Sequence, residues 1–487
     1  MFRNAVRSFQ QSRQIFQMPR QVQYSLSYGV RNICHSECSR QLAYTDLDSS
    51  DYRKKIAPWL KFGEYQKGLL SHLSTFEIVR ALFVLHLCSF DVVVDKSTQL
   101  LSLSSRFGKL AEVLIRKTFY DQFVGGEKTE RMKLVVDTLH RRGLTLMVAP
   151  VLEEDVEDEK SSKDVYDDNL STLKGLAKMT ASMDKEKPIV QLKLSAIMPA
   201  KTLEQVSSAI ESNWNSSSKL AKIVEEMCSK EPESWTFLPG ITKEDKVHFV
   251  NGLKRANEFV SLARDLGVKI LVDAEFFSCQ LAISTISLCL MGWHNSKDYV
   301  VGDTVQGYLK IAHNIVQREL DVTRSLLGVN WYGKIVRGAY MDRERYLATK
   351  KQVPSPICDN YEATSHSYNQ CVQTVLHHLA ENKSHKSHLL IATHNEKSIR
   401  LAVQTLKNLN ISSDDGLSSF AQIYGMADYL STPLVSGGYK VYKSTPYGPL
   451  AKVVPYLARR ASENRSVIKG AREERIMLRK ELFARLF

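Results

Sequence analysis

From residue 144 onward, short apolar runs recur at helix-length intervals. They are LTLMV (144–148), IVQLKLS (189–195), VKILVDA (268–274), DYVVGDT (298–304), KIVRGA (334–339), LLIAT (389–393), AQIYG (421–425) and YKVYKS (439–444). The runs are nearly continuous rather than strictly alternating, the pattern of strands buried on both faces and therefore of a parallel sheet. Eight strand-then-helix units predict an α/β chain with a closed (β/α)8 barrel over 144–470. The count alone leaves an open doubly wound sheet as the alternative. No short fixed period repeats, which argues against a solenoid.

Upstream, 46–143 predicts a helical arm. Leu101 to Phe119 carries helical periodicity, and TFYDQFVGGE (118–127) closes it with two glycines. Residues 471–487 predict a C-terminal helix. Between Glu153 and Asp168 nine carboxylates face two lysines, which predicts a solvated loop. The Ser-rich start of 212–246 predicts an exposed helix.

Composition sharpens this picture at the N-terminus. The chain carries a net charge of +13, of which residues 1–45 hold +5: six arginines, Arg3, Arg7, Arg13, Arg20, Arg31 and Arg40, against Glu37 alone. Arginine and serine nearly free of acids, interspersed with Phe2, Val6, Phe9, Ile15 and Phe16, are the pattern of a mitochondrial transit peptide; a disordered basic tail is the bland alternative. The excess of +8 elsewhere suits an anionic cofactor or a negatively charged membrane surface. No basic stripe interleaved with aromatics points to nucleic acid. No run reaches the ~18 apolar residues of a membrane span, so any membrane contact is expected to be peripheral. The eight cysteines are scattered without a CxxC pair, which predicts reduced thiols, no disulfide framework and no zinc site; no metal is expected.

The candidate chemistry sits where the runs end. Lys193 lies inside VQLKLS. Asp273 and Glu275 follow ILV, and Asp303 and Gln306 follow YVVG. Lys334 and Arg337 flank IV, with Tyr340 beyond, His394 and Asn395 follow LLIAT, and Gln422 lies in AQIYG. Barrel active sites are built at the C-terminal ends of strands, so a series of polar strand ends is a site signal. Taken singly, Lys193 could snorkel to solvent, Asp273 could cap a helix, His394 could be a satisfied core histidine, and Tyr340 could simply pack. PYLARRASEN (455–464) is the sharpest constellation. On a helix, Arg459 and Arg460 lie about 100° apart and can grip one carboxylate from two directions, with Glu463 in reach of either. A solvated face of ion pairs is the alternative. The absence of GxGxxG argues against a Rossmann dehydrogenase.

Together, TFYDQFVGGE, QLKLSAI (191–197), LVDAEFF (271–277), TVQGYLK (304–310), KIVRGAYMDRERYLA (334–348), ATHNEKS (392–398), QIYGMAD (422–428) and VYKSTPYGPLAKVVPYLARRASENRSV (441–467) resemble the proline dehydrogenase family, in order, over roughly 105–470. The resemblance implies a distorted (β/α)8 barrel with FAD bound non-covalently over its mouth. It implies that Arg459 and Arg460 bind the substrate carboxylate with Lys193, and that Asp273, Tyr340 and Ile423 shape the pocket. Lys334 matches a basic residue near flavin N5. Gln306, Arg337, Gly338, His394 and Gln422 match FAD-contacting positions, and Glu463 holds the arginine helix. Transfer of electrons to ubiquinone, on the matrix side of the inner mitochondrial membrane, is implied as well. One departure concerns the substrate. Proline-specific members have a Tyr twelve residues before Tyr456, where this chain has Ser444. The hydroxyproline dehydrogenase branch is similar in this respect, which implies a preference for trans-4-hydroxy-L-proline; a Ser chosen for a strand end is the structural alternative. A second departure is VAP (148–150), where many relatives have a more polar strand end. Two readings of other classes stand beside this one: a Schiff-base aldolase or lyase on Lys193, and a non-catalytic peripheral membrane protein.

Overall fold

The computed structural model describes residues 60, 62, 70–88, 108–152, 163–214, 216–238, 240–383, 385–453, 456–457 and 468–486. The expected transit peptide (1–45), most of the acidic stretch, Arg459, Arg460 and Glu463 lie outside the described residues. Eight parallel strands close on themselves in chain order. They are β1 (Leu144–Pro150), β2 (Ile189–Leu192), β3 (Lys269–Val272), β4 (Val301–Gln306), β5 (Tyr332–Val336), β6 (His388–Ala392), β7 (Ser418–Ile423) and β8 (Val441–Tyr447). Closure runs through β1 and β8, paired from Leu144↔Val441 to Pro150↔Tyr447. The open sheet is thereby excluded.

The helices are α1 (Thr75–Leu87), α2 (Gly108–Ile115), α3 (Thr129–Arg141), α4 (Lys163–Met183), α5 (Ala200–Trp214), α6 (Ser217–Ser229), α7 (Lys243–Asp265), α8 (Phe277–His294), α9 (Ala312–Asp321), α10 (Met341–Lys351), α11 (Tyr361–Glu381), α12 (Glu396–Asn408), α13 (Asp428–Ser436) and α14 (Ile468–Leu486). Between α2 and Val124 the chain makes a π-turn over Arg116–Tyr120 and a short helix over Asp121–Phe123. Among the described residues before the two glycines, helix covers Thr75–Leu87 and Gly108–Phe123. Its helix α1 starts on a capping box in which Ser74 and Glu77 satisfy each other's backbone N–H groups. The last helix, α14, crosses this arm, and Arg485 donates to the carbonyls of Leu73 (2.6 Å) and Leu70 (2.9 Å). Among the described residues, no helix is long and apolar enough to cross a membrane.

Three local expectations are corrected. The helix expected to be exposed within 212–246 is α6, and it buries Leu220, Ile223, Val224 and Met227. The end of the acidic stretch is not loop: α4 begins at Lys163, and Asp167 accepts from Arg255 Nε at 2.7 Å. The fourth strand starts at Val301, because Asp298 is drawn to Lys269 Nζ (3.0 Å) before it. The six described cysteines are free thiols, Cys228 and Cys289 approaching to 3.4 Å between sulfurs.

The strand period of two sorts the barrel side chains. Met147, Ile189, Leu271, Tyr332, Leu390, Ala421 and Tyr442, one from each of seven strands, form with Tyr299 a core separate from the main one. This is the barrel interior, and every second residue along a strand shares it. The helix-facing residues merge into the large outer core. Gly302 is required inside: a Cβ there would lie 2.7 Å from the Tyr332 ring. The N-terminal end of the interior is plugged. Tyr299 stacks on His388 at 4.6 Å, and His388 is held by Gly416 O and Ser419 Oγ, both at 2.7 Å. Burial drops the His388 imidazole to about 4, so it is neutral at physiological pH. The plug leaves the C-terminal mouth as the end open to a ligand.

Candidate active site

Counting up from the interior core by twos places the candidate residues. On β2 and its continuation, Gln191 and Lys193 follow Ile189. On β3, Asp273 follows Leu271, its N–H donating to Leu192 O at 2.8 Å. Thr304 and Gln306 follow Gly302, and Lys334 follows Tyr332. His394 follows Ala392, Ile423 follows Ala421, and Ser444 follows Tyr442. The inward parity therefore brings Asp273, Lys334, Ile423 and Ser444 to the mouth in one layer, with Lys193, Gln306 and His394 two residues further out. Ile423 and Ser444 are also register partners on adjacent strands.

Lys334 is the centre of this layer. Its ammonium donates to Asp273 Oδ1 at 2.7 Å and reaches Gln191 Oε1 at 3.4 Å. The lysine side chain is 6% exposed and the aspartate 28%, so a buried cation faces a carboxylate open to the mouth. Gln191 is a neighbour that sequence reading missed; it lies two residues before Lys193 and therefore shares its face.

The rim is tied together beside this pair. Buried Glu275 accepts from Ser195 N (3.0 Å) and from Ser195 Oγ, joining the ends of β2 and β3. Gln306 Nε2 donates to Glu275 O (2.9 Å) and to Tyr308 Oη (2.7 Å), which leaves its buried Oε1 without a partner. Glu344 of α10 accepts from Phe277 N at 2.8 Å. Tyr340 sits in the left-handed region (φ 49°) at the start of α10, its ring 5.0 Å from that of Phe276. A non-glycine residue held there is strained, a condition that clusters at binding sites. Arg337 lies just past β5 and stacks on Tyr361 at 4.3 Å. It donates from Nη2 to Ser365 Oγ (2.6 Å), while its buried Nε lacks a partner. Gly338 beside it is exposed. His394 Nε2 accepts from Ile423 N at 3.0 Å, which fixes Nε2 as the unprotonated nitrogen of the neutral ring.

Two strand-end residues stand apart. Gln422 is turned outward; it accepts from Ser431 Oγ of α13 at 2.9 Å and is 2% exposed. Asp303 also faces outward, accepting from Ser284 Oγ (2.6 Å) and Ser287 Oγ (3.0 Å) of α8. Among the described residues, no group of three or more His, Cys, Asp or Glu could hold a metal ion.

Residues 133–473 match the proline dehydrogenase family. The chain belongs to that family. Hydroxyproline dehydrogenase from Xenopus laevis is 34% identical over 422 residues, covering 86% of this chain and 89% of the relative. The Homo sapiens hydroxyproline dehydrogenase is 34% identical over 435 residues, covering 87% and 93%. Mitochondrial proline dehydrogenase 1 of Homo sapiens is 37% identical over 249 residues, covering 51% and 41%. In fold, the chain is similar to proline utilization A from Bdellovibrio bacteriovorus inactivated by N-propargylglycine. That match has a TM-score of 0.59 at 19% identity and covers 80% of this chain and 36% of that one.

Proposed function

We propose that this proline dehydrogenase family member is a mitochondrial flavoenzyme. It oxidises trans-4-hydroxy-L-proline, and L-proline less well, to the corresponding 1-pyrroline-5-carboxylate, and ubiquinone at the matrix side of the inner membrane accepts the electrons. The observation that carries the reading is the Lys334–Asp273 pair at the barrel mouth, in the same layer as Ile423 and Ser444. FAD fits the residues present. The partnerless Oε1 of Gln306 offers an acceptor and the partnerless Nε of Arg337 a donor. A dinucleotide with ring amides and phosphates can satisfy both. Lys334, Gln306, Arg337, Gly338 and His394 would hold it, and when bound it supplies the two-electron oxidant of the reaction.

The remaining work falls to the chain. Arg459 and Arg460 hold the substrate carboxylate, with Lys193 adding a third positive group and Glu463 orienting the arginines. This grip fixes the ring carbon beside nitrogen in a reactive orientation. Asp273 and Tyr340 border the ring, and Ile423 packs against it. The substrate nitrogen must be a neutral amine, since a protonated one has no lone pair to assist loss of hydride. Lys334 places fixed positive charge where negative charge develops during reduction. Ser444 offers a hydroxyl to the ring 4-hydroxyl.

The test is direct. Purified protein should show a flavin absorption band and reduce an acceptor dye with hydroxyproline at higher kcat/KM than with proline. A colourless protein inactive on both, with FAD added, would sink the proposal. A higher kcat/KM for proline would remove the substrate preference alone.

A further inference from the structure

Ile423 ends β7, and the next four residues form a turn with two left-handed positions, Gly425 (φ 76°) and Ala427 (φ 58°). Only the first is a glycine, so Ala427 is held there by its surroundings. Those surroundings come from four other parts of the chain. Gln122, from the turn after α2, donates to Gly425 O at 2.7 Å. Lys443 of β8 donates to Met426 O at 2.6 Å. Glu474 of α14 accepts from Ala427 N (2.9 Å) with one carboxylate oxygen and is 3.3 Å from Asp428 N with the other. Arg142, after α3, and Lys443 each lie 2.8 Å from the Asp428 carboxylate that follows the turn.

We propose that Glu474 is a positioning residue for the substrate side of the barrel mouth. Its carboxylate holds the 424–427 turn in its strained form, and the turn fixes Ile423. The inference rests on the functional reading above, in which Ile423 borders the substrate. Glu474 is 9% exposed and lines a cavity of about 60 Å³ shared with Arg80, Arg142, Asp428 and Lys443. Its charged surroundings are His72, Glu77 and Arg80 of the arm, Arg142, Asp428 and Lys443. Burial, then the neighbouring Asp428 charge, push the Glu474 carboxyl up to about 7. A carboxyl kept in so unfavourable a place, with both oxygens turned to the N–H groups of one turn, is poised for a purpose beyond packing.

The test compares Glu474→Ala with Glu481→Gln in the full-length holoenzyme. Glu481 is on the same helix and buried, about two helical turns beyond Glu474, and it pairs with Arg485. Glu474→Ala should speed hydrogen exchange at the Ala427 and Asp428 amides and raise KM for hydroxyproline about tenfold, with kcat changed much less. Glu481→Gln should lower the melting temperature while leaving KM and those two amides unchanged. If Glu474→Ala loses stability but keeps its KM, or if both variants raise KM equally, the positioning role is overturned. A wild-type enzyme without turnover overturns the functional reading, and this inference with it; an active wild type whose Glu474→Ala form keeps its KM overturns this inference alone.

Discussion

The ammonium of Lys334 lies 2.7 Å from the Asp273 carboxylate, the lysine buried and the aspartate open to the barrel mouth. The two are not interchangeable. Lys334→Met removes fixed positive charge from a water-poor site, and kcat should fall by about 100-fold. Asp273→Ala leaves the lysine buried without its partner. Breaking a buried pair costs about 3–5 kcal/mol, and the exposure of Asp273 lowers this to about 2 kcal/mol. Steady-state kinetics with chemical denaturation of both variants should show the lysine change dominated by rate and the aspartate change shared between rate and stability.

Ser444 and Ile423 face the mouth side by side, so the size of residue 444 should set substrate choice. Ser444→Tyr restores the side chain that the resemblance assigns to proline-specific relatives. It fills the space beside Ile423 and removes the small hydroxyl offered to a 4-hydroxyl group. The ratio of kcat/KM for hydroxyproline over proline should drop by about tenfold or more. An unchanged ratio would show that Ser444 serves the strand end and not the substrate.

The barrel could be read from the chain because parallel strands are apolar on both faces and stand out without tertiary information. The mouth could be read because polar residues interrupt those runs at one end. Facing was harder. Asp303 and Gln306 are three residues apart, so on one strand they must point to opposite sides, yet both attract attention as polar strand ends. Only the register shows that Gln306 is inside and Asp303 lies against Ser284 and Ser287. Gln422 and Ile423 divide in the same way. The grip on the 424–427 turn had no local signal at all. Gln122 is 303 residues from Gly425 and Glu474 is 47 from Ala427, and nothing in either neighbourhood announces the contact.

The outward Asp303 lies near a second buried carboxyl, Glu319, close enough for its charge to act on it. Trp331 Nε1 donates to Glu319 Oε2 at 3.0 Å. Burial first, then the Asp303 charge, raise the Glu319 carboxyl well above its ordinary value; burial raises Asp303 as well. A carboxyl whose folded pKa is raised favours the folded state at low pH. That contribution fades as pH climbs from the unfolded value through the folded one. Glu319→Gln keeps an oxygen for Trp331 and offers an amide donor to Asp303 without a titrating proton. Stability of the wild type should therefore fall relative to the variant by up to about 1.4 kcal/mol per pH unit above about pH 5. Melting curves of both proteins across that range give the difference directly, and parallel pH profiles would refute the raised Glu319 carboxyl.

Two glycines make opposite predictions under the same change to alanine. At Gly425, in the turn after Ile423, a Cβ would lie 1.9 Å from Gln122 O at a φ of +76°. The obstacle is backbone, in a segment fixed by its own hydrogen bond to Gly425 O, so it cannot swing aside. Gly425→Ala should prevent accumulation of folded protein, or leave a form whose mouth no longer binds substrate. Gly175 is exposed in the middle of α4, where nothing lies within 4 Å of a new Cβ. Gly175→Ala removes backbone entropy from the unfolded chain and adds helix propensity, so it should stabilise by about 0.5–1 kcal/mol with kinetics unchanged. Expression yield and melting temperature of the pair separate a glycine that the turn requires from one that the fold merely tolerates. Equal tolerance at both positions would mean that Gln122 does not pack against the turn as described.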